Sequence, residues 1–136
     1  MSVTVKASDY GAVQNHLGLL NVQRNAFYPN RLLDITGETP TVASKKLNIP
    51  RASFYKEEVS LKRDKILEKK IKEFVMVGDL AFDLLNQNKN ETIIWLTSPN
   101  TEFFGDSPFE ICLRGDGKKI IQWLLIRLGK EPGVAF

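Results

Sequence analysis

The sequence is poor in the residues that build metal sites and covalent cross-links. It has one cysteine, Cys112, and one histidine, His16, among 136 residues. A single thiol cannot form an internal disulfide, and one histidine leaves few ways to assemble a metal site. The chain also lacks an apolar run of about 18 residues that could cross a bilayer, and the N-terminal MSVTVKASDY shows no signal-peptide pattern. We therefore exclude a disulfide scaffold, a zinc protein and a membrane protein, and expect a cytoplasmic protein.

Patterns typical of catalysis are equally scarce. Cys112 lies in an apolar helical stretch with no histidine near it in sequence, which indicates a buried, inert thiol. The stretch Gly115-Asp-Gly117 lacks the spacing and the lysine-serine ending of a phosphate-binding loop, so it is interpreted as a turn. His16 lies beside an apolar stripe and is interpreted as structural. The sequence thus predicts neither an enzyme nor a bound cofactor.

What the chain does have is a globular composition with an uneven charge. It is 43% hydrophobic and 26% charged, which is typical of a folded protein of one domain or two very small ones. Residues 39–73 carry ten basic and five acidic side chains, whereas residues 74–136 carry six basic and eight acidic ones. A basic middle segment indicates a polyanion contact confined to one module, or alternatively a solvated helix face.

Helical periodicity dominates the whole chain, and no stretch alternates like a strand for long. Thr39-Pro40 is a helix start, Ser107-Pro-Phe-Glu110 is a capping box, and Gly129 ends the last helix. The fold class is therefore predicted to be all-α. The predicted helices cover residues 9–20, 31–35, 40–47, 51–58, 60–86, 91–96, 108–113 and 118–128.

The break between the helices at 40–47 and 51–58 predicts a helix-turn-helix. Ser44 is small enough for a helix crossing, and Asn48 tolerates the positive φ that such a turn requires. The second helix of this motif enters the major groove, where arginine can bind guanine. The predicted DNA-binding residues on or near the exposed face of the second helix are Arg51, Ala52, Ser53, Tyr55 and Lys56. Three further lysines are predicted to contact DNA phosphates: Lys45, Lys46 and Lys62. The alternative is a helical hairpin with an exposed lysine face and no role with nucleic acid.

The C-terminal third resembles a known family. The run Ile94-Trp-Leu-Thr-Ser-Pro-Asn100, then Phe104-Gly-Asp-Ser-Pro-Phe-Glu110, then a helix ending Leu128-Gly129, is similar to the toxin-binding domain of the MbcA/ParS/Xre antitoxins. Leu47-Asn-Ile-Pro-Arg-Ala-Ser-Phe-Tyr55 and the long helix after it resemble the N-terminal part of that family. The resemblance implies two domains, a helix-turn-helix region over residues 1–73 and a toxin-binding domain over residues 74–136.

The resemblance also implies a function. Such a protein is a type II antitoxin that binds and occludes a toxin with a NAD-consuming RES domain, dimerises, and represses its own operon by binding operator DNA. The plain alternative is a helix-turn-helix transcriptional regulator whose C-terminal domain dimerises or senses a ligand. A third possibility is an interaction adaptor in which the helix-turn-helix no longer touches DNA.

One large aromatic residue marks where the toxin would bind. For Trp95 and Phe104 we expect core packing. Trp123 differs, because Lys119 and Arg127 lie on the same face of its helix, and an aromatic side chain between two cations is typical of an interface hot spot. The predicted toxin-binding residues are Arg114, Lys118, Lys119, Trp123, Arg127 and Phe136.

Overall fold

The structure is a computed structural model that describes residues 14–130. Over that range the chain is mostly helical, as expected. It has six α-helices, two 3₁₀ helices and three short strands. In chain order these are β1 (Leu20–Asn21), β2 (Ala26–Phe27), α1 (Pro29–Thr36), α2 (Pro40–Leu47), a first 3₁₀ helix (Arg51–Tyr55), β3 (Val59–Ser60), α3 (Lys65–Leu84), α4 (Lys89–Thr97), a second 3₁₀ helix (Thr101–Phe103), α5 (Pro108–Leu113) and α6 (Gly117–Arg127).

Side-chain caps start several helices at the predicted places. The Thr39 hydroxyl accepts the N–H of Val42 at 3.3 Å at the start of α2, and the Ser107 hydroxyl accepts the N–H of Glu110 at 3.2 Å at the start of α5. Each bond satisfies one of the N–H groups that a helix end leaves free. Asn48 ends α2 in the left-handed conformation, with φ at 55°. The local chemistry of these ends was therefore readable from the sequence.

The small sheet is a feature that the all-α prediction missed. Strand β2 pairs antiparallel with both β1 and β3, with Leu20 opposite Phe27 and Ala26 opposite Ser60. Strands of two residues cannot show the period-two alternation by which a strand is recognised in sequence. Because β3 occupies residues 59–60, the long helix expected over 60–86 begins only at Lys65, where the Asp64 carboxylate accepts the N–H of Leu67.

The helix expected over residues 51–58 is also shorter than predicted. It is a 3₁₀ helix that ends at Tyr55, and Lys56 is already extended, with φ at −89° and ψ at 153°. This extended residue leads the chain into β3 and hence to the sheet. Pairing with β2 thus overrides the helical propensity of Lys56, Glu57 and Glu58.

Residues 14–19 are not helical, so the helix expected over 9–20 is wrong in its described part; residues 9–13 lie outside the described residues. The Asp79 carboxylate in α3 binds this segment. It accepts the backbone N–H groups of Gln14 at 3.0 Å, Asn15 at 3.1 Å and His16 at 2.8 Å. Asn15 itself has a φ of 57°. Burial raises the pKa of Asp79 above its usual value, and the three N–H donors offset part of this rise because they favour the anion.

Two side chains complete the attachment of this segment to α3. The His16 ring stacks on Phe82 with 4.2 Å between ring centres, so His16 has the structural role expected from sequence. Leu17 lies directly over Gly78, where a Cβ atom would come within 2.6 Å of the leucine Cδ1. Glycine at position 78 therefore permits this close approach.

Helix α3 is the centre of the packing, since it contacts α4, α5 and α6. Side chains from both the N-terminal and the C-terminal elements pack into one hydrophobic core. The predicted domain boundary, between residues 73 and 74, lies inside α3. The side chains buried most completely include Phe27, Phe54, Leu67, Ile71, Phe74, Leu96, Ile120 and Leu124.

Glu68 on α3 makes stability depend on acid pH. Hydrogen bonds from the side chains of Asn25 and Lys72, at 2.7 and 3.1 Å, lower the pKa of Glu68 to about 2 from its usual 4.5. A carboxylate with a lowered folded-state pKa stabilises the protein above the unfolded pKa, and that contribution is lost as the pH falls from about 4.5 to about 2. We expect Glu68→Gln to cost about 1–2 kcal/mol of unfolding free energy near neutral pH.

Thermal denaturation at about pH 6 and about pH 3 checks this expectation, because the gap between wild type and Glu68→Gln should shrink at the lower pH. Glu57→Gln is the control, since Glu57 is exposed and its carboxylate accepts no hydrogen bond in the described part of the chain. An equal gap at both pH values would contradict the assignment.

Candidate protein-binding surface

Three aromatic rings from separate elements meet beside α6. Trp95 of α4 stacks on Trp123 of α6 with 5.9 Å between ring centres and 21° between planes. Phe103, at the end of the second 3₁₀ helix, meets both rings edge-on, at 6.2 Å from Trp95 and 5.3 Å from Trp123. All three residues are half-buried. We call this set the aromatic cluster.

A cation lies over the aromatic cluster. The Arg127 guanidinium carbon is 4.0 Å from the centre of the Trp123 ring, within the range of a cation–π contact. Arg127 is otherwise exposed, and Ile126 beside it is 61% exposed. The cluster with its arginine therefore presents apolar area, a planar donor group and an exposed aliphatic side chain at one place on the surface.

The other predicted toxin-binding residues are spread around the start of α6. Arg114 is exposed and forms two hydrogen bonds of 3.0 Å to the Asp106 carboxylate. Lys118 is half-buried and Lys119 is exposed. Phe136 lies outside the described residues. The structure thus brings Trp123 and Arg127 into contact, while Arg114 pairs with an acid of its own chain.

Phe104 has a different environment from the one expected. Core packing was predicted, but the side chain is 98% exposed, and its backbone is left-handed with φ at 57°. Core packing was expected because Phe104 is a large aromatic residue. The turn after the second 3₁₀ helix instead points its side chain away from the core. The prediction for Phe104 is therefore wrong.

The predicted DNA-binding residues lie around the first 3₁₀ helix. Tyr55 is 68% exposed, and its hydroxyl accepts a hydrogen bond of 3.2 Å from the Arg51 guanidinium. Ala52 and Lys56 are exposed, whereas Ser53 is buried. Ser53 therefore faces the protein interior, and the exposed surface of this helix is made by Arg51, Ala52 and Tyr55.

The two lysines at the end of α2 differ in their partners. Lys45 is exposed. Lys46 forms ion pairs with Glu38 and with Glu110 of α5. Burial lowers the pKa of Lys46, but the hydrogen bonds to Glu110 and Glu38 raise it more, so the pKa lies above its usual value. Lys46 thus joins α2 to α5.

A basic cleft lies after the first 3₁₀ helix. It has a volume of about 610 Å³ and is lined by Lys56, Glu58, Val59, Ser60, Lys62 and Arg63. Lys56, Lys62 and Arg63 are exposed, and Glu58 is paired with Arg24 at 3.2 Å. The structure therefore brings together Lys56 of the predicted second helix and Lys62, a predicted phosphate contact, and adds Arg63, which sequence reasoning missed.

Sequence reasoning also missed Trp95 and Phe103 as partners of Trp123. Trp95 was assigned to the core, and Phe103 was not singled out. The signal that could have found them is the capped turn between α4 and α5, in which the Asn100 side chain accepts the N–H of Glu102 at 2.9 Å. This turn places Phe103 back over α4.

Within residues 14–130, no group of three or more histidine, cysteine, aspartate or glutamate side chains is placed to hold a metal ion. In the same part of the chain no helix combines the length and apolar character needed to cross a membrane. Cys112 is fully buried in α5, and burial raises the pKa of its thiol.

Comparison of the chain with models of protein families, with curated proteins and with solved structures found no match.

Proposed function

We propose that this protein is the antitoxin of a type II toxin–antitoxin system, and that it binds and occludes a RES-type toxin that consumes NAD. The observation that carries the proposal is the half-buried aromatic cluster with Arg127 over Trp123. Tryptophan and arginine are the residues most enriched at the energetic centres of protein interfaces. A surface of this kind binds another protein stoichiometrically and performs no turnover.

The residues on which the family resemblance rests have structural functions here. Asn100 caps the second 3₁₀ helix, Ser107 caps α5, and Gly129 follows α6 with φ at 75°. Together they fix the path of the chain from α4 to the end of α6, and so they hold Phe103 and Trp123 in contact. This agreement between motif and local structure supports the proposed toxin-binding domain at residues 74–136.

Occlusion is the mechanism that this surface supports. Arg127 and Lys119 are exposed cations on α6, and Trp123 lies between them along the helix. These cations would pair with acidic groups on the toxin surface beside the entrance of its substrate site. The antitoxin would cover that entrance, and inhibition would require one antitoxin surface for each toxin.

Co-expression with the genomic neighbour tests the proposal. If the neighbour is a toxin of this class, its expression alone should stop growth, and co-expression of this chain should restore growth and yield a complex that co-purifies. A neighbour that is harmless alone and does not bind this chain would contradict the proposal.

We also propose binding to operator DNA through a helix-turn-helix formed by α2 and the first 3₁₀ helix, with a homodimer as the binding unit. The basic cleft supports it, because Lys56, Lys62 and Arg63 are exposed together next to that helix. Exposed lysines and arginines that follow the backbone of a duplex supply sequence-independent affinity. A plain transcriptional regulator would use the same surface.

Salt dependence measures this contribution. We expect the double variant Lys56→Ala/Lys62→Ala to weaken binding to promoter DNA and to reduce the slope of log K against log salt by roughly 2, since each lost phosphate contact removes about one unit. Lys89→Ala is the matched control, because Lys89 is an exposed lysine on α4. An unchanged slope in the double variant, or no DNA binding by the wild type, would contradict this role.

A further inference from the structure

Phe104 is held on the surface by a rigid turn. Its N–H donates to the Thr101 carbonyl at 3.2 Å, and the Gly105 N–H donates to the Asn100 carbonyl at 2.9 Å. The Asn100 N–H in turn donates to the Asp106 carbonyl at 3.2 Å. A left-handed backbone is unfavourable for a side chain as bulky as phenylalanine. The turn therefore keeps a large apolar side chain 98% exposed in a conformation that glycine would adopt more readily.

An apolar cleft adjoins this side chain. It has a volume of about 250 Å³, its floor includes Ile111 and Ile120, and Phe103 and Phe104 form part of its wall. Both isoleucines are buried, at 6% and 0% exposure. A cavity of about 150 Å³ already admits benzene, so this cleft is large enough for a phenyl group from another molecule.

The charges at the rim of the cleft are of both signs. Glu102, Asp106 and Asp116 are acidic, and Arg114 and Lys119 are basic. Arg114 and Asp106 are paired within the chain, which leaves Glu102, Asp116 and Lys119 for a second copy. A two-fold rotation can place these acids of one copy against the lysine of the other, whereas a rim of one sign would repel its own copy. The exposed Phe104 side chain and the cleft also lie next to each other. Each copy can therefore contribute both to a single two-fold contact.

We infer that a second copy of this chain binds here, and that the two copies exchange Phe104 side chains, each phenyl group entering the other copy's cleft. Two anchors and a small polar rim correspond to an interface at the low end of the size range. The dimer therefore forms and dissociates readily. This inference rests on the proposed function for the existence of a homodimer and adds its interface. The cleft shares Phe103 and Lys119 with the proposed toxin-binding surface, whereas Phe104 lies outside the aromatic cluster.

The variant Phe104→Gly tests the inference without harming the fold, because glycine suits a φ of 57°. We expect sedimentation equilibrium of the full chain to show a monomer–dimer equilibrium for the wild type. Each dimer loses two anchors in the variant, so its dissociation constant should rise by about 100-fold or more, with an unchanged or slightly higher melting temperature. Ile66→Ser is the matched control, since Ile66 is 70% exposed on α3 and does not line the cleft.

Cross-linking tests the exchange itself. A mixture of Phe104→Cys and Lys119→Cys proteins, treated with a short bismaleimide, should give more linked dimer than either variant alone, because position 119 lines the cleft that position 104 of the other copy enters. Cys112 is buried and does not interfere. A wild type that stays monomeric up to about 1 mM would overturn the inference. A Phe104→Gly protein that dimerises like the wild type would also overturn the inference, even if that variant had lost affinity for the proposed toxin.

Discussion

Replacing Trp123 with alanine is expected to weaken the proposed complex with a toxin by at least about 30-fold, which corresponds to about 2 kcal/mol of binding free energy. The substitution removes the indole that stacks on Trp95 at 5.9 Å and that lies under the Arg127 guanidinium. Titration of the purified proposed partner with each variant of this chain by calorimetry measures the change.

Trp123 also packs within its own chain, so a second variant separates binding from folding. Arg127→Gln keeps the indole and removes only the cation above it, and we expect a loss of roughly 10-fold in affinity with little change in melting temperature. Lys89→Gln is the matched control, because Lys89 is exposed on α4 and lies outside the proposed surface. Folded Trp123→Ala and Arg127→Gln proteins that bind the toxin like the wild type would contradict the proposed surface.

Asp79→Ala is expected to lower the free energy of unfolding by about 3 kcal/mol and the melting temperature by roughly 10 °C. The carboxylate accepts three backbone N–H groups, at 2.8–3.1 Å, and its loss leaves these donors without a partner in a partly buried environment. Unsatisfied buried donors are costly because they have lost their bonds to water as well. Chemical denaturation of the variant and the wild type measures the difference.

Two further variants make this result specific. Asp83→Ala removes an exposed carboxylate one turn further along α3 and should change stability by less than about 0.5 kcal/mol. Asp79→Asn keeps the shape and one accepting oxygen, so its loss should lie between those of the two alanine variants. Equal stability of Asp79→Ala and Asp83→Ala would show that the segment at residues 14–16 does not depend on the carboxylate.

Local helix chemistry accounts for what the sequence predicted well. The capping box at Ser107 and Glu110 predicted α5 with the bounds that the structure has, and Thr39-Pro40 did the same for the start of α2. Asn48 was expected to adopt a positive φ and does so. These features depend on a few neighbouring residues, and their physical causes can be seen in the sequence.

Contacts between distant residues account for what was missed. The sheet depends on pairing of Phe27 with Leu20 and Val59, and Asp79 binds a segment more than sixty residues earlier in the chain. Neither contact leaves a periodic signal in its own segment. The environment of Phe104 depends on the direction of a turn, which composition does not encode.

The candidate surface was predicted in part for the same reason. The spacing of Trp123 and Arg127 by four residues on one helix indicated their contact, and the structure places them together. The stacking of Trp95 and Phe103 on Trp123 joins three elements, so only the folded chain reveals it.

Because Cys112 is fully buried, its alkylation can measure how often the core of the protein opens. Cys112 is the one thiol of the chain, and an alkylating reagent can reach it only when the helices around it separate. Its rate of alkylation therefore counts core-opening events in the unmodified protein, much as amide hydrogen exchange does. A bound partner slows such events by mass action, so the same rate in the presence of the proposed toxin partner would report how far a complex shields this chain from proteases.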